Sequence, residues 1–168
     1  MLALLVGLAT CGGPAPRALQ TTPAAAAQEL PDLTYKLRGG GTWSSREVRG
    51  KVVVIDVWAT YCKPCKKAFP KLDRIHSLGA DVVVIGVSVD ADDAIVERFL
   101  KETPTAFAIG RDPEETVKQR PLSLTQLPTV LVLDRLGRLR YRGEKLDEAD
   151  YEGLHDLVVN LLAEPVPI

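Results

Sequence analysis

Seven residues, Val52-Val53-Val54-Ile55-Asp56-Val57-Trp58, run straight into Ala59-Thr60-Tyr61-Cys62-Lys63-Pro64-Cys65. Five of the first six are Val or Ile, the mark of a strand buried on both faces. From Lys63 onward, Phe69, Leu72, Ile75 and Leu78 recur at three- and four-residue steps, which is helical spacing. Two cysteines therefore stand where a central strand turns into a helix. A helix start presents unpaired N–H groups and a partial positive charge, and both favour a thiolate over a thiol. That setting suits disulfide exchange. The plain alternative is a pair of buried structural thiols.

Other uses of the pair find little support. A zinc site needs four ligands, and the chain offers only one more cysteine, Cys11, and two histidines. His76 lies eleven residues beyond Cys65, roughly 16 Å along a helix axis, and His155 sits in the terminal helical segment. A c-type haem site needs His directly after the second cysteine, where Lys66 stands. No cofactor or metal site is expected.

The 168 residues suit one domain with a short extension, and 46% hydrophobic content is enough for a full core. A net charge of −1 and 5% aromatics argue against a nucleic-acid partner. The N-terminus has a different character. Met1 to Cys11 is apolar and far too short to span a bilayer. It reads as the end of a signal-peptide core running into a cysteine. Leu8-Ala9-Thr10-Cys11 is similar to a bacterial lipobox, although Thr10 is unusual there and no basic residue precedes the run. Cys11 is the expected lipidation site; a plain secretory signal is the alternative, and both export the protein. Residues 12–29, with Pro14, Pro16, Pro23 and four successive alanines, read as a flexible tether. Fully stretched, it would reach roughly 50 Å.

Within the expected domain, 30–163, Leu33 to Leu37 and Thr42-Trp43 flank three glycines as a hairpin. Strands follow at 51–58 and 82–89, with a Pro70-containing helix between them. A helix over 90–102 buries Ile95, Phe99 and Leu100; a strand covers 106–109 and a short helix 113–119. Strands at 129–133 and 139–143 form a second hairpin. An amphipathic helix over 147–163 turns Leu154, Leu157, Val158, Leu161 and Leu162 inward, leaving 164–168 as a tail. This order predicts an α/β architecture, a mixed central sheet with helices on both faces and an N-terminal β-hairpin.

Trp58-x-x-x-Cys62-x-x-Cys65, Pro70 five residues on, and Leu127-Pro128-Thr129 before a strand resemble the thioredoxin superfamily. The N-terminal hairpin, Arg49-Gly50-Lys51, Gly86-Val87-Ser88-Val89-Asp90 and the segment 92–119 narrow the resemblance. Together they are similar to the TlpA/ResA type of exported, membrane-tethered thiol–disulfide oxidoreductases, over about 30–163. The resemblance implies a thioredoxin-like three-layer fold. It makes Cys62 the nucleophile, Cys65 the resolving thiol and Lys63-Pro64 the active-site turn that tunes the couple. Lys66 and Lys67 add positive charge or are simply a solvated helix face. Trp58, Leu127, Pro128 and Thr129 match the substrate-binding region, with Pro128 as the cis-proline beside which an extended substrate pairs. Tyr61 and Trp58 are expected to pack beside the disulfide.

Asp56 lies six residues before Cys62, as does the buried acid of thioredoxins. A carboxyl on such a strand is raised in pKa by desolvation and can take a proton from Cys65. Gly86 stands where thioredoxins carry a lysine near that acid, and Ala68 where ResA-like proteins carry Glu. The alternative is an aspartate facing water at a strand edge.

The implied function is a thiol–disulfide reductase of the bacterial envelope. It would be lipid-anchored on the extracytoplasmic or periplasmic side, monomeric, fed by a membrane-bound electron donor and acting on oxidised protein thiols such as apocytochrome c. A disulfide-forming oxidase and a non-enzymatic Cu(I) metallochaperone are the alternatives. A thiol peroxidase is disfavoured, because Val57 and Ala59 replace the Pro and Thr that its pattern places before the cysteine.

Overall fold

The run over Val52–Trp58 becomes β3, and all seven of its residues are buried. The computed structural model describes residues 17–119 and 121–165. Strand β3 pairs in parallel with β4 (Val82–Ser88) on one side and antiparallel with β6 (Thr129–Leu133) on the other. The remaining strands are β1 (Thr34–Leu37), β2 (Thr42–Ser44), β5 (Ala108–Arg111) and β7 (Leu139–Glu144). They assemble into a seven-stranded sheet in the order β2-β1-β5-β4-β3-β6-β7. Both faces of β3 are covered as well as both edges, so its side chains are apolar except for one acid, Asp56, which is conspicuous.

Helix α1 (Lys63–His76) joins β3 to β4, and α2 (Asp93–Glu102) joins β4 to β5. Both crossovers move the same way across the sheet, so right-handed connection sets both helices on one face. Helix α3 (Glu148–Ala163) lies there too, and one apolar cluster includes Phe69, Leu72, Val96, Leu100, Leu154 and Val158. The opposite face is covered more thinly. A 3-10 turn (Thr116–Lys118) stands where a short helix over 113–119 is expected, and Val117, Leu122 and Leu124 cover Ile55, Val57 and Val87.

Three further expectations are corrected. In α2 it is Val96, with Leu100, that faces the core, while Ile95 is 41% exposed. The strand expected at 106–109 lies at Ala108–Arg111. The reading of 12–29 as a free tether does not hold for residues 17–29. Their amides and carbonyls are taken up by the domain: Arg17 N–H donates to Ala149 O, Thr22 N–H to Arg140 O and Leu139 N–H to Gln28 O. The Arg17 guanidinium also pairs with Asp147 at 2.9 Å and Asp150 at 2.6 Å, the two residues of the α3 capping box. Gly153 admits this segment, since a Cβ there would stand 2.0 Å from the Arg17 carbonyl oxygen. The alanine-rich composition carries no apolar periodicity to announce this docking, because much of it is made by backbone groups and one arginine. In the expected tail, Glu164 pairs with Arg140 at 2.6 Å. The signal-like segment, Cys11 and the first residues of the expected tether lie outside the described residues.

Candidate active site

The strand-to-helix turn is built by short backbone bonds. Cys62 N–H donates to Ala59 O at 3.0 Å, and Cys65 N–H donates to Cys62 O at 3.1 Å. Cys62 is the N-cap of α1, its sulfur accepting from Cys65 N–H at 3.3 Å, so it stands where the helix offers free N–H groups. Pro64 occupies the first turn, a position whose amide has no intrahelical partner in any case. Cys62 and Cys65 are joined as a disulfide. They are not equivalent: Cys62 keeps 7% of its surface exposed, and Cys65 keeps none.

A second bond set holds the turn from below. Asp90, just past β4, accepts from Thr60 N–H at 2.9 Å and from the Thr60 hydroxyl at 2.7 Å. Its Oδ2 also accepts from the Ser88 hydroxyl, and Arg111 bonds both Ser88 Oγ and the Asp90 carbonyl. Sequence reading singled out the strand end at Asp90 only as a family feature. The acid's role as the clamp on the cysteine turn depends on a partner thirty residues away.

Leu127-Pro128 is a cis peptide, as the resemblance implies. Leu127 joins Cys62, Lys63, Pro64, Tyr61 and Lys118 around a groove of ≈ 520 Å³ whose floor includes Val57 and Val89. Val117 and Leu124, from the 3-10 turn and the loop after it, supply the far wall, which motif reading missed. Pro128 and Thr129 are buried behind the groove. Trp58 is corrected: it is wholly buried, 5.0 Å from the Phe69 ring and 5.1 Å from the Phe99 ring, so it presents no surface to a substrate. Tyr61 is corrected the other way, being 71% exposed on the groove rim. Lys63, Lys66 and Lys67 are exposed, and Lys66 lies 5.7 Å over the Phe99 ring.

Asp56 has no exposed surface, which rules out the water-facing alternative. It is in register with Gly86 on β4, and the space a side chain would need there is taken by Trp58 and Phe107, each 3.0 Å from a built Cβ. No lysine fits. The residue that meets the acid is instead Tyr151 of α3, whose hydroxyl donates to Asp56 Oδ1 at 3.3 Å. Oδ2 has no partner among the described residues. Desolvation pushes the Asp56 carboxyl up from 3.8 to about 7, and the Tyr151 bond partly opposes the rise. Ala68, buried on α1, leaves no second acid beside it. His76 closes α1 far from the cysteines, and His155 Nδ1 lies 3.4 Å from Asp156.

A two-cysteine turn at a helix start, an adjacent cis-proline and an acid buried on the central strand define a thioredoxin-like redox protein. The comparisons agree. The family model described as AhpC/TSA family matches residues 26–142. ResA of Bacillus cereus, a thiol–disulfide oxidoreductase by name, is 26% identical over 126 residues, 72% of each chain. The thioredoxin-like protein YneN of Bacillus subtilis is 28% identical over 114 residues, 66% of each chain. The chain thus matches about two thirds of these relatives' length. A crystal structure from Chlorobium tepidum, described as a thiol:disulfide interchange protein DsbE, superposes with a TM-score of 0.76 at 24% identity, covering 87% of this chain and all of that one. The chain belongs to the AhpC/TSA family and is a TlpA/ResA-like thiol–disulfide oxidoreductase of the thioredoxin superfamily.

Proposed function

We propose that the protein works as a reductase of oxidised protein thiols in the bacterial envelope, in the manner of cytochrome c maturation, and is recharged by a membrane-bound electron donor. The observation that carries the reading is the asymmetric pair: Cys62 at the groove and the helix N-terminus, Cys65 sealed beneath it. In the reduced enzyme, Cys62 thiolate attacks one sulfur of a substrate disulfide, and the other sulfur leaves as a thiolate. Cys65 then loses its proton to Asp56 and attacks Cys62 Sγ. The mixed disulfide breaks, the substrate departs as its second thiolate, and two electrons have passed to it. A strong oxidant needs its reduced form stabilised as a thiolate. Lys63-Pro64 carries no histidine to do this, and a carboxylate at Asp56 would oppose it.

Anchoring through Cys11 belongs to the same reading. With Arg17 docked on α3, the six residue steps from Cys11 reach at most roughly 20 Å, not the span of a free tether. The α3 face would then be held near the bilayer. No helix among the described residues is long and apolar enough to cross a membrane. One preparation tests both parts. A Cys65→Ser chain made in its native host should accumulate mixed disulfides with envelope proteins and carry a lipid mass on Cys11. Recovery of untrapped, unmodified protein rejects the reading, as does full insulin-reducing activity of Cys62→Ser.

A further inference from the structure

Tyr151 occupies a place that the mechanism above leaves unexplained. Its ring is 3% exposed, and its hydroxyl reaches through the helix–sheet interface to the one buried carboxyl of β3. On its other side it closes the floor of a cleft of ≈ 620 Å³ between the first turns of α1 and α3. Pro64 and Ala68 line this cleft from the cysteine side, so it opens beside the active-site turn, with Pro64 shared between it and the substrate groove. Tyr151 thus stands between this cleft and the buried acid.

We infer that Tyr151 is the positioning residue of the resolving step, holding Asp56 by Oδ1 so that the unpartnered Oδ2 takes the Cys65 proton. The inference rests on Asp56 being that acceptor. The step balances: the S–H bond of Cys65 breaks and its proton bonds to Asp56 Oδ2; the electron pair left on sulfur forms the new bond to Cys62 Sγ as the Cys62–substrate S–S bond breaks and the substrate leaves as its thiolate. The proton later leaves through the cleft above Tyr151. A hydroxyl that donates to a carboxylate favours its charged form, so Tyr151 lowers the proton affinity of an acid that desolvation raises.

The charged groups around the pair do not supply this effect. From α1, Lys71 is spoken for by Glu148 and Glu152, at 3.1 and 2.7 Å, and Lys67 is exposed. From α3 and the turn before it, Asp147 and Asp150 both pair with Arg17, and Lys145 lies on the cleft rim. From β7, the buried Tyr141 is neutral, its phenol pushed up to about 12 by desolvation. Gly86 of β4 and Val130 of β6, the register partners of Asp56, carry no charge at all.

The test is the pH profile of mixed-disulfide release, followed by stopped flow in the full chain with a disulfide peptide. The parent profile should show an inflection that vanishes in Asp56→Asn. In Tyr151→Phe that inflection should move up by about one pH unit, the scale of one hydrogen bond to a charged group. Site-specific Tyr151→3,5-difluorotyrosine, which keeps the shape and strengthens the donor, should move it down. The two opposite shifts together are a result that a packing role would not produce. An inflection unmoved in both Tyr151 variants, yet lost in Asp56→Asn, overturns the role of Tyr151 alone. An inflection that survives Asp56→Asn overturns the acceptor reading and this inference with it.

Discussion

Asp56 shows how a single side chain can cost a fold stability and still be kept. Its carboxyl is fully buried and, among the described residues, has one hydroxyl partner and no cation, so ionising it carries a desolvation cost that the hydroxyl only partly offsets. With a folded pKa raised from 3.8 to about 7, the folded state holds a proton that the unfolded chain has already released between those values. Stability should therefore fall as pH rises from about 4 to 7 and level off above it. In Asp56→Asn this slope should disappear and the chain should be more stable than the parent at pH 8, as read by urea unfolding at pH 4, 6 and 8. Equal pH slopes in the two chains would mean that the acid is not ionising in a dry site. Cys65 makes the complementary point: in the proposed mechanism, its burial beneath Cys62 orders attack before resolution.

At the level of elements, α3 ties the N-terminal strap to the redox centre. One turn of it carries Tyr151, which reaches Asp56, and Gly153, over which the Arg17 carbonyl lies. A glycine inside a helix costs about 1 kcal/mol against alanine, so close approach of the strap is the reason to find one here. Gly153→Ala should push the strap off. The Arg17 and Thr22 amides, bonded to Ala149 and Arg140, should then exchange with solvent at least tenfold faster while the α1 amides keep their protection. Unchanged exchange would show that the strap adapts to a methyl group. The far wall of the groove has a similar logic. Val117 and Leu124 reach the sheet because an irregular segment, not a helix, can follow the groove edge.

For the molecule as a whole, the layout bears on the potential of the Cys62–Cys65 couple. A helix N-terminus stabilises the Cys62 thiolate, while a buried acid on the strand beneath opposes charge in the reduced pair. These two influences predict a reducing couple between about −270 mV, the thioredoxin value, and about −120 mV, that of strong oxidants, and nearer the former. Equilibration of the full chain against glutathione, read by thiol alkylation of Cys62 and Cys65, measures it. A value near the oxidant end would favour disulfide formation as the working direction.

Much of this was legible in the residues. The all-apolar run of β3, the three- and four-residue spacing of α1 and the cysteines at their junction are local patterns, and local patterns follow from burial and helix geometry alone. They placed the redox pair, and the family resemblance carried by its motif placed the cis-proline and the buried acid. The partners across the chain were not legible. Tyr151 is 95 residues from Asp56, and Arg17 is 130 and 133 residues from the two acids that hold it. Periodicity says which face of a helix is buried, but not what it is buried against. Trp58 is fully buried and Tyr61 lies open on the groove rim for the same reason: hydrophobic burial has no direction of its own. Only the closing of α3 over the sheet decided which hydroxyl meets the acid and which segment covers the helix.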